Sequence, residues 1–236
     1  MEKYKEDFIE LLLETGALKI GSDFVLKNNR VSPYFINLGD FNDSITTAKL
    51  GEFYAHTLEN HSDNFDIIYG IPERGVAYAI AVSIGLGKLG INKPWFFTRK
   101  MPKEYGELTN TSEIKKANLV GRYPEKHHKI MLVDDVFTAG TTKYETKEQL
   151  DKLLNNPEYC ALIIAVDRQE IGVDGKNAIE EFTQKTGILV ISIINISEIY
   201  NYLKTKKDIN QEHVNKIANY IQIYGTEAAK KEINLD

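Results

Sequence analysis

The chain has 236 residues, 42% hydrophobic and 27% charged, with a formal net charge of −5. Its length and apolar content suit one sizeable core, predicted here as a single domain over 1–236, and the acidic balance argues against a non-specific nucleic-acid binder. A lone Cys160 inside an apolar run excludes an internal disulfide, and the mixed-charge start MEKYKEDFIE with no long apolar run predicts a soluble, cytoplasmic protein without a membrane span.

Tyr4, Phe8, Leu11 and Leu12 recur at helical spacing up to Thr15-Gly16. Phe24 to Leu26 and Tyr34 to Leu38 predict short strands turning at Asn28-Asn29, so that about 1–40 forms a small hood. Asp43-Ser44 is a candidate N-cap for a helix carrying Leu50, Phe53, Tyr54 and Leu58, which leads into the strand FDIIYG. A small-residue helix from Gly75 to Leu89 follows, then the strands PWFFT, KIMLV, YCALIIAVD and ILVISII, with helical segments between most of them. This alternation predicts an α/β fold: a central parallel sheet flanked by helices on both faces, with right-handed crossovers. After Ser197 come a short helix and a longer one, Ile209 to Tyr224, whose stripe of Val214, Ile217, Ile221 and Tyr224 suits packing beside the hood.

The chemistry gathers where strands end. In YGIPERGVAYAI, the Gly70 to Gly75 turn offers Arg74 and nearby N–H groups to an anion, the plain alternative being a simple turn. The stretch after PWFFT has too few apolar residues for a core helix and reads as a mobile arm over about 99–121; Arg99, Lys100 and Lys103 would let it close over a polyanion, unless it is only a solvated charged loop. In KIMLVDDVFTAGTT, Ile130 to Val133 read as a buried strand, so Asp134 and Asp135 emerge at its carboxyl end, where open α/β sheets place ligands. Thr138, Ala139, Gly140, Thr141 and Thr142 combine N–H groups, hydroxyls and the positive end of a helix, which suits a phosphate monoester, while the paired acids can accept hydrogen bonds from vicinal sugar hydroxyls. The bland reading is a strand, a turn and a Thr N-cap. Arg168, in AVDRQE, offers a bidentate guanidinium to a carboxylate, against the alternative of an Arg–Glu surface pair. His56, His61, His127-His128 and His213 lack metal-ligand spacing, and Lys204, Lys206 and Lys207 read as a solvated turn.

Four apolar residues, paired acids, two more apolar residues and the TAGTT loop resemble the 5-phosphoribosyl 1-pyrophosphate (PRPP) motif of type I phosphoribosyltransferases along its whole length. FVLKNNRVSPYFINLG, TRKMPKEYGE, DDVFTAGTT and VDRQE, in this order, narrow the resemblance to orotate phosphoribosyltransferases, over nearly the whole chain. It implies the type I phosphoribosyltransferase fold, with a hood formed by N-terminal and C-terminal segments. It also implies magnesium-dependent transfer of the phosphoribosyl group from PRPP to orotate, giving orotidine 5′-monophosphate and pyrophosphate in de novo pyrimidine (UMP) biosynthesis. PRPP contacts are implied at Lys27, Arg74, Asp134, Asp135, Val136, Phe137, Thr138, Ala139, Gly140, Thr141 and Thr142, and orotate contacts at Tyr34, Phe35, Thr138 and Arg168. Catalytic roles fall to Arg99, Lys100, Lys103 and Asp135, and Mg2+ would ride mainly on PRPP, with no protein ligand assigned.

A homodimer is implied, each arm reaching the neighbouring subunit's site, and the decarboxylase of the next pathway step is a candidate partner that 236 residues leave no room to contain. Two positions depart from the pattern. Glu73-Arg74 stands where many bacterial members have Tyr-Lys, so Arg74 takes the cation's role; Tyr105 stands where those members often have His, which removes a titrating imidazole from the arm. Leu108 to Ala117 looks like an insertion. Two rival readings are a salvage transferase for another nucleobase, which would leave Arg168 without a carboxylate, and a PRPP-sensing regulator, which would not need the charged arm.

Overall fold

Residues 1–26, 28–99, 118–138, 140–172 and 174–233 are described in the computed structural model. The chain opens with α1 (Lys3–Glu14) and an antiparallel ribbon of β1 (Leu18–Val25) and β2 (Val31–Ile36). The ribbon turns where expected: Asn29 adopts a positive φ of 63°, and Leu26 N–H donates to the Arg30 carbonyl at 2.8 Å. β1 starts earlier than the predicted Phe24, because its pairing with β2 survives a register irregularity between Ile20 and Phe24 that hides the alternation. α2 (Ser44–Glu59) begins at the predicted cap, with the Asp43 carboxylate accepting from the N–H groups of Ile45 and Thr46 at 2.9 and 2.8 Å.

The main sheet contains β3 (Ile67–Gly70), β4 (Trp95–Thr98), β5 (Leu119–Gly121), β6 (Lys129–Val133), β7 (Glu158–Asp167) and β8 (Leu189–Asn195), in the spatial order β5-β4-β3-β6-β7-β8. All neighbours are parallel except β4 and β5. Thus Leu119–Gly121, expected at the end of the charged arm, instead forms an antiparallel edge strand on β4. α3 (Arg74–Lys88), α4 (Thr141–Leu154) and α5 (Ala178–Thr186) connect strands of this sheet. α6 (Ile196–Thr205), α7 (Gln211–Tyr224) and α8 (Glu227–Glu232) close the described chain. Among the described residues no helix is long and apolar enough to cross a membrane.

The strands alternate their side chains between two cores. Ile68, Met131, Val133, Ile163 and Ala165 enter one; Ile67, Tyr69, Ile130, Leu132, Leu162 and Ile164 enter the other. The first core continues without a break into the hood through Phe8, Leu12 and Tyr34 and into α7 through Val214, Ile217 and Ile221. Burying each such side chain stabilises by about 1.5–3 kcal/mol, so the hood is fastened to the sheet by the same force that holds the sheet together. Tyr224, the last member of the stripe, packs half-buried against the same core, and the Arg30 guanidinium sits 4.6 Å from its ring centroid.

Candidate active site

The strand order reverses between β3 and β6. The chain leaves β3 through α3 toward β4 on one side, and leaves β6 through α4 toward β7 on the other. A cleft opens at such a switch point because the two connections diverge. Here it measures about 470 Å³ and is lined by Pro72, Glu73 and Arg74 from one side and Asp134, Asp135, Thr142 and Lys143 from the other. Close approach of α3 to the sheet frames it: a Cβ on Gly75 would lie 2.3 Å from the Val133 carbonyl oxygen. Gly140, at φ +75°, turns the chain into α4. The N-cap is therefore Gly140 and not a threonine, since only the glycine adopts this left-handed backbone without strain.

The adjacent carboxylates occupy different environments. Asp135 is partly exposed, and its Oδ2 receives Arg74 Nη1 at 3.2 Å, while Arg74 is itself half exposed. Asp134 is buried. Its Oδ1 accepts the Asp135 N–H at 2.9 Å, its Oδ2 lies 2.6 Å from Lys143 Nζ, and its backbone carbonyl accepts from the Tyr54 hydroxyl at 2.7 Å. Burial, helped by the charge on Asp135 and opposed by Lys143, pushes the Asp134 carboxyl up to about 6. Asp135 Oδ1 accepts the Val136 N–H at 2.7 Å, so the two acids also fold their own loop.

Val136 continues beside β7 through a bridge to Val166, and Phe137 is buried edge-on against Phe182. Both anchor the loop; Thr138, Thr141 and Thr142 are its exposed residues. The first N–H groups of α4 have no preceding helical carbonyl to serve them, which leaves them for an anion. Arg99 is exposed at the end of β4, and its N–H donates to the Asn118 carbonyl at 2.9 Å. Lys27, Lys100, Lys103, Tyr105, Ala139 and the 108–117 stretch lie outside the described residues.

A second cluster sits one strand over, where β7 ends. Arg168 donates from Nε and Nη2 to Glu170 Oε1, at 2.9 and 2.6 Å, and its guanidinium carbon lies 4.3 Å from the Tyr34 ring centroid. The Tyr34 hydroxyl also donates to Glu170 Oε1, at 2.9 Å, and Ser32 Oγ of the hood lies 3.4 Å from Arg168 Nη2. The Arg–Glu pair of the alternative reading forms, but buried instead of at the surface: the two side chains are 11% and 15% exposed. Burial drives the Tyr34 phenol well above its usual range. Tyr220 meets Tyr34 edge-on at 5.8 Å. Phe35, on the opposite face of the ribbon, stacks on Phe24 at 5.6 Å, so the structure brings Tyr34 to Arg168 but not Phe35.

Sequence reasoning missed Lys143, which is signalled by nothing stronger than its place in the first turn of α4, whereas Glu170 is the partner that the alternative Arg–Glu reading of AVDRQE names. His127 and His128, discounted on spacing, do come together with Glu125, with ligand atoms within 4.8 Å of one another. They precede the amino end of β6, at the far edge of the sheet from the cleft.

No protein-family model matches the chain. Full-length relatives do. The orotate phosphoribosyltransferase of Ruthia magnifica is 37% identical over 226 residues, covering 95% of this chain and 100% of the relative. That of Saccharophagus degradans is 38% identical over 228 residues, covering 96% and 100%. The crystal structure of the orotate phosphoribosyltransferase from Francisella tularensis matches with a TM-score of 0.78 at 31% identity, over 93% of this chain and 100% of that one.

Proposed function

Because the chain belongs to the orotate phosphoribosyltransferase family, we propose that it joins a ring nitrogen of orotate to the anomeric carbon of PRPP, with magnesium, expelling pyrophosphate and giving orotidine 5′-monophosphate for de novo pyrimidine synthesis. One observation carries this reading: the anion cleft with Arg74, Asp135 and the start of α4 lies at the same sheet edge as the buried Arg168 guanidinium.

As the bond to pyrophosphate breaks, positive charge grows on the ribose and negative charge on the leaving group. Fixed charges that match this separated state lower the barrier. In the proposed arrangement the Thr138 to Thr142 loop and the N-terminus of α4 hold the 5′-phosphate, and Arg74 faces the pyrophosphate. Asp135 accepts a ribose hydroxyl and offsets the developing positive charge. Arg168 pairs with orotate's carboxylate. Orotate's charge at neutral pH lies on its carboxylate, so the ring N–H breaks as the bond to the anomeric carbon forms, and its proton passes to the departing pyrophosphate or to water.

Both of the paired aspartates already have a cation beside them, Lys143 for Asp134 and Arg74 for Asp135, which favours a divalent ion held by PRPP's own oxygens over one caged by these two acids. Magnesium supplies charge neutralisation on the pyrophosphate. Arg99, with Lys100 and Lys103, is proposed to close over that leaving group and exclude water, in a homodimer where the arm serves the neighbouring subunit's site.

The test is pyrophosphate release from PRPP and magnesium, with orotate, uracil, hypoxanthine and adenine in parallel. Release with orotate alone is expected. Release with hypoxanthine or adenine instead would replace the reading by a salvage transferase, and PRPP binding without turnover would replace it by a sensor.

A further inference from the structure

Lys143 has no role in the reaction as set out so far. It lies one turn inside α4, buried, with Nζ 2.6 Å from Asp134 Oδ2, 2.8 Å from the Val136 carbonyl oxygen and 5.6 Å from the Phe137 ring centroid. One ammonium thus ties the first turn of the helix to Asp134, Val136 and Phe137 of the loop that crosses the cleft floor. A buried ammonium is strongly unfavourable unless paired, and an apolar pair of similar volume would serve stability as well or better. The ion pair is therefore not explained by stability.

We propose that Lys143 is a positioning residue: by tying the Asp134 carboxylate and the Val136 carbonyl to α4, it fixes the loop in which Asp135 presents its carboxylate to PRPP. The inference rests on the proposed reaction and assigns a part of its machinery that touches no substrate. The hydrogen bonds run in sequence. Lys143 holds Asp134 Oδ2, Asp134 Oδ1 holds the Asp135 N–H, and Asp135 Oδ1 holds the Val136 N–H, leaving Asp135 Oδ2 toward Arg74 and the cleft.

The groups facing Asp134 set its protonation. Lys143 approaches from α4 and Asp135 from the same loop, with Arg74 behind it; Tyr54 lies on α2 and Tyr78 on α3. Lys143 is the cation in direct contact, and burial works against it. Without the lysine, desolvation and the charge on Asp135 are opposed by the hydrogen bond from the Asp135 N–H and no longer by a contacting cation, so the carboxyl holds its proton to higher pH. A protonated Asp134 loses its charge-assisted bond to Lys143, and the loop relaxes. Activity that needs the carboxylate falls as pH drops through its folded value, so losing Lys143 shifts that fall toward alkaline pH.

The experiment follows kcat/KM for PRPP against pH in wild type, K143M, K143R and K143M/D134N, with folding checked by circular dichroism. Wild type should decline below about pH 6. K143M should decline at least about one pH unit higher, which makes it about twofold slower near pH 7 and about tenfold slower near pH 5, and should approach wild type at alkaline pH. K143R should keep the wild-type profile. If K143M does not fold, K143M/D134N, which leaves no buried charge unpaired, takes its place and should lack the decline near pH 6, because position 134 then carries no carboxyl to titrate. A folded K143M that declines with wild type, or a double variant that keeps the decline, overturns the proposal. Wild type without orotate-dependent turnover at any pH overturns the reaction instead. Carbon NMR titration of the Asp134 carboxyl in wild type and K143M then decides the positioning role without substrate, and coincident titrations would refute it.

Discussion

Replacing Arg168 separates a substrate-binding role from a structural one. Arg168→Met leaves Glu170, 15% exposed, with no cation where Nε and Nη2 now donate to it at 2.9 and 2.6 Å. Breaking a buried pair in this way costs about 3–5 kcal/mol, a large share of the roughly 5–15 kcal/mol that holds a domain folded. Stability alone is therefore ambiguous. Arg168→Met/Glu170→Gln removes both charges while keeping an acceptor for the Tyr34 hydroxyl, which now donates to Glu170 at 2.9 Å. That double variant should lose less than about 2 kcal/mol, since no charge stays buried alone and no hydroxyl is orphaned. Its orotate site should stay broken. Losing charge-assisted hydrogen bonds of about 1.5–3 kcal/mol each should raise KM for orotate by about a hundredfold or more, in the single and the double variant alike, with KM for PRPP nearly unchanged. Urea unfolding gives the first quantity and initial rates at saturating co-substrate the second. If the double variant regains orotate affinity together with stability, Arg168 is a structural ion-pair member and the carboxylate site lies elsewhere.

Lys100→Ala should cut kcat strongly and leave the unfolding midpoint in place; near-normal turnover would remove the arm from the mechanism. Arg74→Ala breaks only a half-exposed pair with Asp135, worth about 0–1 kcal/mol, so stability should hardly move while kcat/KM for PRPP falls, and an unchanged kcat/KM would detach Arg74 from the pyrophosphate. Gly75→Ala puts a Cβ 2.3 Å from the Val133 carbonyl, so α3 must shift and stability should drop by about 1–3 kcal/mol with PRPP binding; a neutral result in urea unfolding would mean that the helix is free to move there. Chelating magnesium should abolish turnover without changing the unfolding midpoint, because no protein-held ion is proposed; a lowered midpoint would point to a structural metal.

What the sequence made legible follows from which forces are local. Ile130 to Val133 announce a central strand because a strand buried on both faces has no room for polar residues, and Asp43 announces a helix start because its carboxylate serves N–H groups two and three residues on. β5 was hidden because Leu119–Gly121 is too short to show alternation and is strand only through its pairing with β4. Lys143 was hidden for the same reason at the level of charge: in TTKYETKEQ it reads as one more solvated lysine, and its carboxylate arrives from the end of another element.

Among the described residues, the ion pairs Arg74–Asp135, Lys143–Asp134 and Arg168–Glu170 also differ in a way that sequence could not rank. Arg74–Asp135 is open to water, so exchanging Asp135 for a phosphate changes little else, and a group that must release and rebind ligand in every turnover belongs there. Lys143–Asp134 and Arg168–Glu170 are buried, so neither partner can be left alone without a large penalty. Such pairs hold geometry. For Arg168 the consequence is specific: an incoming carboxylate has to share the guanidinium with Glu170 or replace it, and a neutral base brings no charge to do either. If Arg168 holds orotate's carboxylate as proposed, discrimination between orotate and uncharged nucleobases arises from the pairing already present in the free protein, before any contact with the pyrimidine ring.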